Sequence, residues 1–502
     1  MSIPESSSIY DLRAADWRNG ALVYQVFVDR FAPPADLEAK RGLYAAPRRL
    51  RAWSELPARG EFLPEVGVWS HELDFWGGDL QSLRSRLDYI TDLGMDVLYL
   101  NPIHAALTNH KYDATDYLQI SPEYGTWADL QALIDDTHRC GLRLVLDGVF
   151  NHVGLASPLY REAAADPHSP HRDWFYFGDQ FPYGVRLWAN APNHPELNFE
   201  NPAVCDYIYV GSDSVVRTYL RAGIDGWRLD TAFELGYHYL DELTRSAHTE
   251  RPGSLVVGEI WNYPSDWMPA VDATMNFPLR EILLQAANGR LPAGQANQMI
   301  ATMIRDTGIE PLLKSWIVLD NHDTARLADT IPDLPSRRVA QLLQFTLPGS
   351  PNLYYASELD LPGPGDPENR APMPWEQVKD ANPALAWTKK LIHLRKAQRA
   401  LKIGDCCMLG ANQLIAFERF TDRVEETLVV AANFSDHEVE EFVLVPDARL
   451  MNYTLFEDLL GSGATFRLQS ALLPVRLPAR SALVLQPQTA PVDGYTPYKR
   501  ID

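Results

Sequence analysis

Short apolar runs recur along most of this chain, separated by stretches in which apolar residues return at helical spacing. The first run is Ala-Leu-Val-Tyr-Gln-Val-Phe-Val-Asp-Arg (21–30). Seven more follow at 97–103, 142–150, 226–232, 255–260, 273–278, 316–320 and 352–357. Their length and β-branched content predict strands buried on both faces. Between them Leu80, Leu83, Leu87 and Ile90 mark a helix, as do 129–139 and 215–221. Eight strands alternating with helices predict an α/β fold, a closed (β/α)8 TIM barrel, with an open doubly wound sheet as the alternative.

The rhythm is interrupted in places, and the interruptions divide the chain. Residues 1–20 read as a polar lead-in, and 21–153 with 203–403 as the barrel. A long Pro- and Arg-containing stretch, 32–76, follows the first strand. The connection 154–202, rich in His, Pro and aromatics, is too long for a structureless loop and predicts a small excursion domain after the third strand. After a last barrel helix at 385–401, short alternating strands at 414–420, 428–433, 439–445, 465–468 and 482–485 predict a C-terminal antiparallel β-sandwich, 404–488. Residues 489–502 form a tail.

Composition narrows the partners. Hydrophobic content of 46% supports a core, and 22% charge excludes a disordered chain. A net charge of −21 and pI near 5.0 argue against nucleic acid or an anionic membrane and fit a neutral substrate. No segment is long and apolar enough to span a bilayer. The opening Met-Ser-Ile-Pro-Glu-Ser-Ser-Ser lacks the basic-then-apolar order of a secretory leader. Cys140, Cys205, Cys406 and Cys407 follow no metal or redox spacing, and the first two fit buried helix faces. A reduced, cytoplasmic protein is expected.

Several apolar runs end abruptly in charge, which a doubly buried strand tolerates only at its mouth. Asp230 ends Gly-Trp-Arg-Leu-Asp, Glu259 lies in Val-Val-Gly-Glu-Ile-Trp, and Asp323 closes Val-Leu-Asp-Asn-His-Asp. One β/α unit is about thirty residues, so the spacing brings all three acids to one barrel end, where barrel enzymes build active sites. Paired carboxylates there suit glycoside hydrolysis: an ionised nucleophile, a protonated acid/base, and support for a cationic transition state. Arg228 shares a strand face with Asp230 and is expected to keep it ionised. Glu259, in an apolar strand near Trp261, is expected to stay protonated. His322, Asp147, Asn151, His152 and His104 mark further strand ends.

These segments resemble the α-amylase family of glycoside hydrolases (family 13) over roughly residues 20–488. The four signature stretches are 147–152, 226–234, 257–261 and 318–323. The resemblance implies Asp230 as nucleophile, Glu259 as acid/base and Asp323 as the acid that grips sugar hydroxyls. It implies that Arg228 positions the nucleophile, that His152 and His322 bind hydroxyls, and that Tyr112, in His110-Lys-Tyr-Asp, stacks on the sugar. Asp147 would support the arginine, and Asp366 and Arg370 would contact the next sugar. Within the family, 75–80, 98–102, 109–113, 349–355 and Glu234 are most similar to cyclomaltodextrinases, neopullulanases and maltogenic amylases.

Those relatives carry an N-terminal β-sandwich with no counterpart here. Pro195-Glu-Leu-Asn matches neither the neopullulanase nor the oligo-1,6-glucosidase version of its segment. After Asp29-Arg-Phe, the Asn/Asp cluster that would bind calcium is absent. Asp79 and Asn151 are the remaining metal candidates, and calcium needs six or more oxygens. No cofactor is expected to be required. The expected activity is retaining hydrolysis of α-1,4 bonds in short maltooligosaccharides or cyclodextrins, releasing glucose or maltose. A transglycosylase or isomerase on the same site, or a non-catalytic sugar-binding subunit, are the alternatives. Two bulky connections, 32–76 and 154–202, emerge on the catalytic rim and predict a pocket or short cleft. Of the excursion aromatics, Trp174, Phe175, Tyr176, Phe177, Phe181, Tyr183 and Trp188, most are expected to form its core.

Overall fold

The computed structural model describes residues 8–490. The leader reading over the first residues falls largely outside the described residues, as does most of the 489–502 tail. Eight parallel strands close a barrel: β1 Val23–Val26, β2 Val97–Leu100, β3 Arg143–Gly148, β4 Gly226–Leu229, β5 Leu255–Ile260, β6 Ala273–Asn276, β7 Trp316–Val318 and β8 Ser350–Tyr354. Each pairs with its neighbours in sequence, and β1 pairs with both β2 and β8.

Period-two alternation sorts these strands. Val23, Val97, Tyr99, Val145, Val257 and Trp316 pack together inside the barrel. Tyr24, Leu98, Leu144, Trp227, Val256 and Ile317 pack outward beneath the helices. Carried one step upward, the inward rows deliver Gln25, Asn101, Asp147, Arg228 with Asp230, and Glu259 to the mouth. Seven of the eight strands are shorter than their apolar runs, and β5 matches its run. The strand of 273–278 stops at Asn276, whose side chain accepts from the Leu279 amide and caps the helix Phe277–Ala287. The predicted helix 385–401 is two helices, Pro383–Ala397 and Arg399–Ile403, broken at Gln398 in an extended conformation.

The lead-in is not merely polar. A helix, Ile9–Ala15, opens with a capping box of Ser8 and Asp11. Its Arg13 is buried and reaches Glu310 at 2.6 Å and Asp405 at 3.0 Å. C-terminal to the barrel, six antiparallel strands form one sheet and Val439–Leu444 pairs with Leu472–Leu477 in a second; the two share an apolar core. Asp405–Met408, Leu455–Asp458 and Leu472–Leu477 are strands that the alternation pattern did not reveal. Cys406 and Cys407 lie in the first of them. Cys140 is exposed, contrary to the buried helix face expected for it, while Cys205 is buried.

Two segments roof the mouth. The stretch after β1 folds into short pairings, including a hairpin of Phe62–Leu63 with Val68–Trp69. The connection after β3 contains the helix Pro158–Ala165 and isolated bridges such as Phe175↔Leu197 and Leu187↔Pro195. Tyr160, Phe175 and Phe177 pack edge-on and stacked within it. No helix among the described residues is long and apolar enough to cross a membrane.

Candidate active site

The floor of the mouth is a buried guanidinium shared among acids. Arg228 Nη1 donates to Asp147 Oδ1 at 2.8 Å and to Asp230 Oδ1 at 3.0 Å, and Nη2 lies 2.9 Å from Glu259 Oε2. Arg228 and Asp147 are fully buried, and Asp230 and Glu259 are nearly so. Asp147 Oδ2 accepts from the hydroxyls of Tyr99 at 2.6 Å and Tyr112 at 2.8 Å. Beside this floor Thr231 adopts a left-handed backbone (φ 42°), and its amide donates to Glu259 Oε2 at 2.9 Å. Lys111 is left-handed too (φ 66°), held by a buried ion pair with Glu123, and this turn aims Tyr112 inward. Two non-glycine residues in this uncommon region flank the site, where strain is tolerated only if surroundings enforce it.

The electrostatics depart from the expectation for Asp230. Burial first, and the neighbouring Glu259 next, push the Asp230 carboxyl well above the usual carboxylate range. Arg228 offsets only part of this, because its charge is divided among three acids. Glu259 is not in an apolar setting: the Trp261 indole N–H donates to its Oε1 at 3.1 Å, opposite the Thr231 amide. The low-dielectric walls and Glu259 also raise Asp323, to about 7.

The cavity above this floor has a volume of about 530 Å³, a size that encloses a small ligand. Tyr112, His110, His152, Glu234, Asp230, Glu259, Asp323, Asp366 and Arg370 all line it. Five other predicted residues do not. Arg228 and Asp147 support it from below. His322 is fully buried: its Nδ1 faces the Gln25 amide nitrogen at 2.9 Å, and its Nε2 meets Tyr112 Oη at 2.5 Å and Asp323 Oδ2 at 3.1 Å. It stacks parallel to Tyr112 and orients it. Asp79 caps the helix Leu80–Arg84 through the Ser82 amide and pairs with Lys40 at 2.8 Å. Asn151 is buried, its amide nitrogen 3.4 Å from His152 Nδ1. No group of three or more His, Cys, Asp or Glu disposed to hold a metal occurs among the described residues.

Glu72, His194, Thr231, Phe233, Trp261 and Asn262 also line the cavity; none is a binding candidate from the sequence, where Trp261 enters only for its nearness to Glu259. Of the excursion aromatics, Trp188 alone lines it, stacked on His152 at 5.3 Å. His194 packs against both rings. Burial holds His152 well below the usual histidine range and His194 down to about 4, so both stay neutral near pH 7.

A closed β/α barrel carrying three acids over a shared arginine, in a pocket walled by aromatic rings and hydrogen-bonding side chains, defines a carbohydrate-active barrel enzyme. The α-amylase catalytic-domain family matches residues 25–404, and the chain belongs to that family; it is a glycoside hydrolase. A cyclomaltodextrinase of Geobacillus thermopakistaniensis is 32% identical over 487 residues, covering 93% of this chain and 76% of the relative. An intracellular maltogenic amylase of Bacillus subtilis is 33% identical over 398 residues, 78% of this chain and 64% of the relative. Among solved structures, the ligand-free cyclic α-maltosyl-(1→6)-maltose hydrolase of Arthrobacter globiformis superposes with a TM-score of 0.78 at 26% identity, covering 94% of this chain and 99% of that one.

Proposed function

We propose that this enzyme hydrolyses α-1,4-glucosidic bonds of short α-glucans, with retention of configuration and release of glucose or maltose. The observation that carries the reading is the contact of Asp230 and Glu259 with the two amino groups of one guanidinium, which holds both carboxyls close together beneath the cavity. Close carboxyls favour a retaining mechanism, since an inverting one needs room for a water between sugar and base. Asp230 attacks the anomeric carbon in its ionised form, the form that Arg228 favours against burial, while Glu259 protonates the departing glycosidic oxygen. A water then breaks the resulting ester, returning its proton to Glu259. Asp323, His152 and Tyr112 line the place of the reacting sugar, and Arg228 steadies both carboxylates.

The names of the relatives, which refer to cyclic and maltosyl sugars, support a small α-glucan as substrate. A pocket of limited volume supports the same conclusion against long polymers. Transfer to a second sugar in place of water is the competing outcome, favoured by the exposed rings of Phe233 and Trp261 beside Glu259. We assign no calcium requirement, because the Lys40 ammonium takes up Asp79 and the Gly77 carbonyl. A cytoplasmic location agrees with the intracellular relative and with four unpaired cysteines. The test is a time course on maltotriose, maltohexaose, cyclodextrin and amylose, with the anomer of the first product read by NMR. The α-anomer and at least tenfold higher kcat/KM on the oligosaccharides than on amylose are expected. A β-anomer overturns retention, loss of iodine staining ahead of reducing sugar overturns the pocket, and products longer than the substrate favour transfer.

A further inference from the structure

The two ends of the catalytic cavity are unlike. Near Glu259 the walls are aromatic and open: Phe233 is 46% and Trp261 52% exposed, and Trp261 lies flat on Phe277 at 3.7 Å. A general acid stands beside the leaving group, so this open end is the acceptor side. The opposite end, beyond Asp323, is charged. Arg370 reaches Asp323 at 3.6 Å and Asp366 at 3.2 Å, and His71 faces Asp366 at 3.8 Å.

That charged end is walled. The hairpin between Phe62 and Trp69 crosses to the excursion segment, where the α-carbon of Gly67 sits so close that a Cβ would meet Pro192 at 3.3 Å and Leu155 at 3.6 Å. At its base, the Gly60 amide donates to His71 Nδ1 at 3.1 Å, and Asn109 donates to the His71 carbonyl at 2.9 Å. Three separate chain segments therefore meet across this end of the mouth. Glu72 projects from the wall into the cavity. Its Oε2 is fixed by the Trp69 amide at 2.6 Å, while Oε1 stands 3.5 Å from His110 Nε2, at the limit of a hydrogen bond. His110 Nδ1 accepts the Tyr112 amide at 3.1 Å, which leaves the proton on Nε2, facing Glu72. Glu72 Oε1 thus lies at the cavity lining with acceptor capacity beyond its long contact to His110, and Arg370 lines the same cavity.

The geometry points to Glu72 as a specificity residue that receives the terminal hydroxyls of a linear α-glucan, so that cleavage proceeds from the non-reducing chain end. On the donor side an α-1,4-glucan runs toward its non-reducing end, and a wall there stops the chain after a fixed number of sugars. A cyclic glucan has no end to present and must continue through the wall, so linear substrates are preferred over cyclic ones. This rests on Asp230 and Glu259 being the cleaving pair, as proposed above.

The test compares p-nitrophenyl maltoheptaoside with the same compound blocked by a 4,6-ethylidene group at its non-reducing end. The wild-type enzyme should cleave the free compound at least a hundredfold faster than the blocked one, and maltohexaose at least tenfold more efficiently than β-cyclodextrin. Glu72→Gln, which keeps the shape of the side chain, and Glu72→Ala should each raise KM on the free compound at least tenfold and shrink the ratio between the two. Thermal midpoints and circular dichroism verify that both variants fold. Equal wild-type rates on free and blocked compounds overturn end recognition. A large ratio unaltered by either folded variant overturns the role of Glu72. No cleavage of any substrate overturns the hydrolase reading on which the inference stands.

Discussion

Buried arginines occur at both ends of this barrel, and they are treated in opposite ways. Arg228, at the mouth, meets three carboxyl groups and an open cavity. Arg395 and Arg419, at the floor, meet only backbone carbonyls through their hydrogen bonds. Arg395 serves Gly20, Phe345 and Gly349, and Arg419 serves Thr346, Gly404 and Asp405. Burial pulls the floor pair down, Arg395 to about 9 and Arg419 to about 10, while the acids of the mouth outweigh burial and raise Arg228. The floor arginines use their donors to close chain ends and to tie the C-terminal sheet to the barrel. The mouth arginine gathers negative charge where folding alone would not place it. Charge at the floor is a structural device; charge at the mouth is held ready for chemistry.

The largest effect should come from breaking the mouth. Asp230→Asn is expected to lower kcat by at least three orders of magnitude, roughly 4 kcal/mol of transition-state stabilisation, without lowering the thermal midpoint. Activity within tenfold of the parent would remove Asp230 as nucleophile. Glu259→Gln should be similarly damaging but partly restored on a substrate whose leaving group needs no proton. At the floor the pattern should reverse. Arg395→Met strands three carbonyls and should cost about 2–3 kcal/mol of stability, with kcat/KM of the folded enzyme within about twofold of wild type. If Arg395→Met instead damaged turnover at unchanged stability, the distinction between the two ends would fail.

The same distinction explains what the sequence disclosed. The mouth acids were legible because Asp230, Glu259 and Asp323 interrupt apolar runs, and the fixed length of a β/α unit brings them together. Tyr112, Asp366 and Arg370 were legible through resemblance. Glu72 and His194 were not, because they sit on irregular connections where no period links position to direction. The stacking of His322 on Tyr112 was not legible either; a motif names the residue but not the layer it occupies. The sharing of Arg228 among three acids was likewise hidden, since it depends on β3, β4 and β5 lying side by side. Strands such as Leu472–Leu477 escaped because apolar Leu472 and Pro474 stand on the less buried side and mask the alternation, and their neighbours are remote in sequence.

Between the two extremes lies Lys40, whose ammonium takes the Gly77 carbonyl at 2.6 Å and Asp79 at 2.8 Å on the side of the barrel mouth. It supplies positive charge to oxygens that a metal would otherwise be asked to satisfy. A strong chelator should therefore change neither rate nor thermal midpoint, while Lys40→Met should cost about 1 kcal/mol through the unpaired Asp79. Loss of both activity and stability on chelation, restored by calcium alone, would overturn this reading.

The smallest effect is the most telling, because it asks whether the mouth is paid for in stability. The folded Asp323 carboxyl lies at about 7 against an ordinary value of 3.8, so the folded protein holds this proton more tightly than the unfolded chain. The contribution is favourable below about pH 4, diminishes as pH rises, and is lost once pH passes 7. Asp323→Asn removes the titration. It should leave the thermal midpoint unchanged at pH 4 and raise it at pH 8. About a third of the Asp323 side chain is exposed, so solvent screening limits the gain to about 1 kcal/mol or less, a rise of roughly 1–2 °C for a chain of this size. A midpoint that fell at pH 8 would mean that Asp323, through Arg370 and His322, stabilises the fold, and that the mouth and the floor obey the same rule.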